Sequence, residues 1–246
     1  MFRHISITFS FAILSALLLL SACSQPPNTA GIDASAAQPQ RKHAHALVYQ
    51  LDPQQSLITL KVYKDGPLAR FGHNHVIVAA GLRGIVYREK ELSRSDFELT
   101  IPAMQLMVDR AADRAQAGAD FPGELTPFAV AGTRENMLGP KLLAAEQYPE
   151  IKLESIALRG DLPNIVFTVK VTVRGIESQL LLPAHLELSD NTITADGHST
   201  LSQAQLGLNP YSVLGGGLRV RDSIDVDYRL VAQRISETNK DTTGKK

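Results

Sequence analysis

NIVFTVKVTVRG, residues 164–175, alternates without a fault: Ile165, Phe167, Val169, Val171 and Val173 fall on one face, and Val166, Thr168, Lys170, Thr172 and Arg174 on the other. A period of two is the signature of a strand with one face on a core and one toward water, the habit of antiparallel sheets. The same rule extends outward from this stretch. LRVRDSIDVDYRL (218–230) places Val220, Ile224, Val226, Tyr228 and Leu230 on one side and charged or polar residues on the other. ALVYQLD, SLITLKVY, HVIVAAG, LRGIVYR, DFELTIP, EIKLESIAL, QLLLPAHLEL and NTITADGHST read as further strands, separated by Asp-Pro, Gly or Asp-Asn turn signals. The best helix lies at Arg134–Glu146, with Thr133 as its cap, shortened by Gly139 and Pro140. Eight or more amphipathic strands around one helix predict an all-β antiparallel barrel, since closure removes edges and gives the apolar faces one interior; a two-sheet sandwich is the rival. Such a barrel either fills its middle with side chains or holds one apolar ligand.

The two ends of the chain differ from this middle. Arg3 and His4 precede an apolar run, Ile7 to Leu20, too short to favour a membrane span, which reads as a secretory signal over residues 1–22. Leu20-Ser21-Ala22-Cys23 resembles the lipobox of bacterial lipoproteins, and Cys23, the only cysteine, is expected to be acylated after cleavage, because one thiol cannot close a disulfide within the chain. Ser24 in place of Asp points to the periplasmic face of the outer membrane over inner-membrane retention. Residues 23–46, rich in Pro, Ala, Ser and Gln and including His43 and His45, form a flexible tether, the barrel domain spans 47–232, and 233–246 is a polar tail.

Lysine plus arginine and aspartate plus glutamate each number 25, so no net positive field gathers phosphates, and nucleic acid is excluded as a partner. About 185 residues between the tails suit one domain. Oligomeric state is not readable from the chain.

Six segments then carry a resemblance: YQLDPQQSLITLKVY from Tyr49, GLRGIVY from Gly81, QYPEIKLES from Gln147, TVRGIESQLLLPAHLEL from Thr172, QLGLNPYS from Gln205 and VRDSIDVDYRL from Val220. In order and spacing they resemble the YceI-like family, most specifically through Tyr148-Pro149, Arg174-Gly175 and Leu182-Pro183. The chain departs from that pattern at Gln205-Leu206, before Gly207, and in a longer segment from Arg110 to Gly132. The resemblance implies a lipocalin-like barrel in an exported protein, with a polyisoprenoid lipid inside. It implies non-catalytic binding or transport of a polyprenyl or quinone-like molecule, and no cofactor beyond that lipid. A hydrocarbon offers no group to read, so an apolar cavity of matching length is the recognition device. The residues expected to meet the ligand are Ile58, Leu60, Phe167, Val169, Val171, Ile224, Val226 and Tyr228, with Arg70, Phe71, His73 and His75 at the mouth.

LARFGHNHVIV (68–78) spells H-N-H, but the nucleases of that name assemble their residues from separated segments on a basic surface, and this chain is neutral. On a strand, His73 and His75 point the same way. They therefore suit either a lipid headgroup or, as the alternative function, a metal or haem in a periplasmic binding protein. A metal would need a further ligand, for which His198, Asp196, His185 and Asp109 are candidates. No nucleophile elbow, phosphate loop or H-E-x-x-H is present, and Arg110, Asp113 and Arg114 read as a solvated charge cluster, so no catalysis is expected.

Overall fold

The structure is a computed structural model and describes residues 43 and 45–235. The predicted signal, Cys23 and the greater part of the predicted tether and tail lie outside the described residues. Twelve strands are present: β1 (Leu47–Leu51), β2 (Leu57–Asp65), β3 (His75–Ala79), β4 (Arg83–Arg88), β5 (Asp96–Pro102), β6 (Met107–Val108), β7 (Glu150–Asp161), β8 (Asn164–Val173), β9 (Ile176–Leu188), β10 (Thr192–Ser202), β11 (Ser212–Val213) and β12 (Leu218–Arg234). They make eight staves, because β2, β3 and β6 prolong β1, β4 and β5 along the same wall. Neighbours run antiparallel in the order β1-β4-β5-β7-β8-β9-β10-β12, and β12 returns to β1 through Tyr49↔Arg234 and Leu51↔Ala232. The β12–β1 pairing closes the sheet into the expected lipocalin-like barrel and excludes the sandwich.

Local chemistry sets the joints. Asp52 breaks the first stave by accepting the Gln54 and Gln55 amides at 2.9 and 3.3 Å. Arg174 and Gly175, at φ +53° and +74°, form the two-residue turn between β8 and β9, whose twist matches the strands on either side. In β8 the predicted faces hold: Ile165, Val169, Val171 and Val173 are buried and Phe167 half-buried.

Three expectations are corrected. The helix lies earlier than predicted: α2 is Pro127–Leu138, capped by the Thr126 hydroxyl, which accepts the Ala129 amide at 3.3 Å, and it stops at Gly139. Proline at the first helical position after a threonine cap is the stronger start signal, and Gly139-Pro140 is an end. A second helix, α1 (Ala111–Ala117), stands in the long segment after β6. Its Arg114 is not solvated: the side chain is 2% exposed and pairs with a wholly buried Asp109. His43, expected to be exposed in the tether, stacks on Tyr87 at 3.8 Å, with Nε2 3.6 Å from Asp96.

At the end of the barrel where β8 begins, Tyr49, Ile165, Ala184, Leu186, Ile193 and Ala232 pack into one cluster. The opposite end carries α2, the β2–β3 loop and the His73–His75 stretch.

Candidate functional site

Between these ends the interior is hollow. A cavity of about 420 Å³ lies along the inward faces of the staves, within the roughly 300–1,000 Å³ of small-ligand sites. Its wall is mostly aliphatic, because most inward positions of the staves carry a side chain with no polar atom. Ile58, Leu60, Phe167, Val171, Ile224, Val226 and Tyr228 line it, as do His73 and His75. Val169 faces inward but lies fully buried behind the lining. Arg70 and Phe71 do not reach it: the 3-10 turn Ala69–Phe71 carries them outward, Phe71 is 65% exposed, and the Arg70 guanidinium sits 4.5 Å over its ring. Alternation cannot be extended through such a turn. Leu153, Leu180, Leu182, Leu201 and Met137 also line the cavity, and Leu153, Leu180 and Leu182 were detectable from the alternation of EIKLESIAL and QLLLPAHLEL. Phe97 meets Phe167 edge to face at 5.3 Å across the interior.

Polar groups gather where β3 begins. His75 Nδ1 lies 2.6 Å from Asp109 Oδ2, while Asp109 Oδ1 accepts the Val76 amide at 2.9 Å and Arg114 Nη1 at 2.7 Å. Arg114 spends its remaining donors on the carbonyls of Asn74, Gly123 and Pro122, at 2.8, 2.9 and 3.2 Å. Burial pushes the Asp109 carboxyl up, but the bonds from His75, Val76 and Arg114 outweigh it and hold it below the usual carboxylate range. The bond to Asp109 fixes the His75 ring through Nδ1, and that ring lines the cavity. The His73 ring lies 6.5 Å away, centre to centre. Its own burial, then the neighbouring His75, Lys64 and Arg114, hold the His73 imidazole below its ordinary value and so favour the neutral form. Lys64 Nζ donates to the Gly72 carbonyl at 2.8 Å, and Arg219 is matched by Asp65.

Of the candidate third metal ligands, only Asp109 meets one of the two histidines, His75. His198 is bound to Asp227 at 2.7 Å, His185 to Asn164 at 3.3 Å, and Asp196 to Arg229 at 2.9 Å. Among the described residues no group of three His, Cys, Asp or Glu side chains is placed to hold a metal ion.

Deeper in the barrel, the Tyr228 ring lies across β10 and its hydroxyl donates to the Pro183 carbonyl of β9. Desolvation pushes this phenol up to about 12. Gly197 makes the crossing feasible, since a Cβ there would collide with the Tyr228 hydroxyl and with the Pro183 carbonyl.

The chain was compared with known proteins by family, by sequence and by fold. Among solved structures, BcnA of Burkholderia cenocepacia is similar at 14% identity and a TM-score of 0.55, over 74% of this chain and 98% of that one. A Campylobacter jejuni YCEI protein is similar at 9% identity and a TM-score of 0.45, over 65% and 85%. No match appears among curated proteins. The family model described as the YceI-like domain matches residues 49–232, which is the barrel from its first buried tyrosine to its closing strand. By that match the chain belongs to the YceI-like family.

Proposed function

We propose that this protein binds and carries an isoprenoid-type lipid, polyprenyl or quinone-like, inside the barrel and performs no chemistry on it. The observation that carries the reading is a hollow, aliphatic interior whose polar groups concentrate at its ends, with neutral imidazole at one of them. A hydrocarbon chain gains about 25 cal/mol for each Å² of apolar surface it buries, so tight retention needs no polar motif along its length. Ile58, Leu60, Phe167, Val171, Ile224, Val226 and Tyr228 contact the chain, and His73 and His75 meet the head.

The head best suited to this end is an uncharged oxygen. A hydroxyl, which both donates and accepts, can hydrogen-bond His75 Nε2, and the His75 ring is itself aligned through Nδ1 by Asp109. A diphosphate would demand several cations, and at this end Arg114 and Arg219 already have carboxylate partners, which leaves Lys64, bonded to the Gly72 carbonyl. The sequence adds the setting: Cys23 carries acyl chains, the tether spans residues 23–46, and the barrel works at the periplasmic face of the outer membrane.

The test is competition among ligands that share one chain. Geranylgeraniol, geranylgeranyl diphosphate and the matching hydrocarbon are titrated against wild type and His75→Ala. The expected result is that wild type prefers the alcohol over the hydrocarbon by about tenfold, the worth of one good hydrogen bond, and that His75→Ala abolishes the preference. A diphosphate that binds more tightly than the alcohol would overturn the choice of head. Failure of all three to bind would overturn the lipid reading.

A further inference from the structure

The barrel wall is not equally laced on all sides. β9 pairs with β8 along the whole length of β8, in ten register pairs from Asn164↔His185 to Val173↔Ile176. β10 pairs with β12 in eleven, from Thr192↔Gln233 to Ser202↔Ser223. Toward each other the same two strands make only four, Ile193↔Leu188 to Asp196↔His185, although both continue well past that point. Extending the register would set His198 against Pro183 and Thr200 against Leu181, and those pairs are not made.

Two residues account for the break. Pro183 has no N–H to give a ladder. Its carbonyl, turned away from β8, takes the Tyr228 hydroxyl instead. Gly197 leaves the space that lets the tyrosine ring reach it. Beyond this latch a crevice opens in the outer wall, lined by Leu180, Leu181, Thr200, Leu201 and Gln205 among others. Leu180 and Leu201 line the internal cavity as well and fall opposite each other in the extended register, so these two leucines stand between crevice and interior. Leu181, on the outer face of the split, is 66% exposed. At the far end the loop after β10 ties the split again: Ser178 Oγ donates to the Gln205 carbonyl at 2.7 Å and Gln205 Nε2 to the Gln179 carbonyl at 3.2 Å.

We propose that this unlaced stretch between β9 and β10 is a site for a hydrocarbon chain crossing the wall, a side entrance bounded by Tyr228 and Gln205 and closed by Leu180 against Leu201. The inference rests on the lipid reading above and adds the route. A chain passing there displaces two leucine side chains and at most the Tyr228 hydrogen bond. Passage between β8 and β9, or between β10 and β12, would break a backbone ladder. Beyond Asp196↔His185 no ladder joins β9 to β10, so opening the split breaks no backbone pairing between them.

Retinol, a fluorescent isoprenoid alcohol, serves as the probe. Full-length protein carrying Cys23→Ser, so that introduced thiols stand alone, receives Leu181→Cys and Thr200→Cys, and the pair is bridged by a short bis-maleimide. Bridging is expected to slow uptake and release at least about tenfold while the equilibrium Kd stays the same, as for a gate and not a binding contact. Tyr228→Phe, which needs no bridge, is expected to speed release about fivefold, the rate factor that one neutral hydrogen bond supports. Unchanged rates in the bridged protein, or in Tyr228→Phe, with retinol still bound, would overturn the side entrance and leave the lipid reading standing. No retinol binding by any form would remove both.

Discussion

The two ends of the barrel are held by opposite means. Around Tyr49 the chain uses volume: Tyr49 is wholly buried, Ile165 is 1% exposed, and the polar atoms present are satisfied at the margin, where the Tyr49 hydroxyl donates to the Asp190 carbonyl at 3.1 Å. Around His75 it uses charge: a buried carboxylate bonded to an amide, an imidazole and a buried guanidinium, which draws α1 and the segment through Gly123 onto β3. Apolar packing tolerates small losses gradually, whereas a buried ion pair is costly to break on one side only. The difference follows from function as proposed: the Tyr49 end needs only to be packed, while the His75 end must keep a polar ring in one orientation beside an apolar cavity.

The largest effect expected from breaking this contrast is at Arg114. Replacing it with alanine leaves the buried Asp109 carboxylate without its guanidinium and frees the Asn74, Gly123 and Pro122 carbonyls, and a loss of about 3–5 kcal/mol in urea unfolding follows. At the other end Ile165→Ala removes only buried carbon, for about 2–5 kcal/mol, and Ile165→Val about 0.5–1.5 kcal/mol. A graded series at residue 165 beside an all-or-none response at residue 114 would establish the contrast, and equal gradation at both would dissolve it.

Acid sharpens it further. The Asp109 carboxyl titrates lower in the folded chain than the ordinary value of about 3.9, so its contribution is fully present above about pH 4 and is lost as pH falls through its lowered folded value. Asp109→Asn, which keeps a side chain suited to the φ of +50° at this position, is expected to flatten the dependence of urea stability on pH below about pH 4. Ile165→Val should shift stability by the same amount at every pH. The smallest effect belongs to Arg70→Ala: the guanidinium lies on an exposed ring outside the cavity, so stability changes by less than about 0.5 kcal/mol and lipid affinity not at all.

This division also marks what the sequence made readable. The barrel was legible because alternation in β8 and β12 is a local signal, fixed by the two-residue repeat of any strand. Most of the residues expected at the ligand do line the cavity, since inward parity on a closed sheet means the interior. The His75 network was not legible. Asp109 and Arg114 stand 34 and 39 residues from His75 in the chain, and in isolation a charged pair beside Arg110 and Asp113 reads as a wet surface. Arg70 and Phe71 were misplaced for a related reason, that one short turn between strands cancels parity. Pro183 and Gly197 were visible as residues, but only the register shows them one position apart across an unpaired edge.

The central claim is that an apolar guest occupies the interior. Native mass spectrometry of the full-length protein purified from its own membrane fraction, followed by organic extraction of the same sample, tests it most directly. The account predicts one isoprenoid-type lipid of defined mass for each barrel, lost from a variant whose cavity is filled by Val171→Trp and Leu153→Trp. A wild-type protein that shows only the mass of its own chain and yields no lipid on extraction would contradict it.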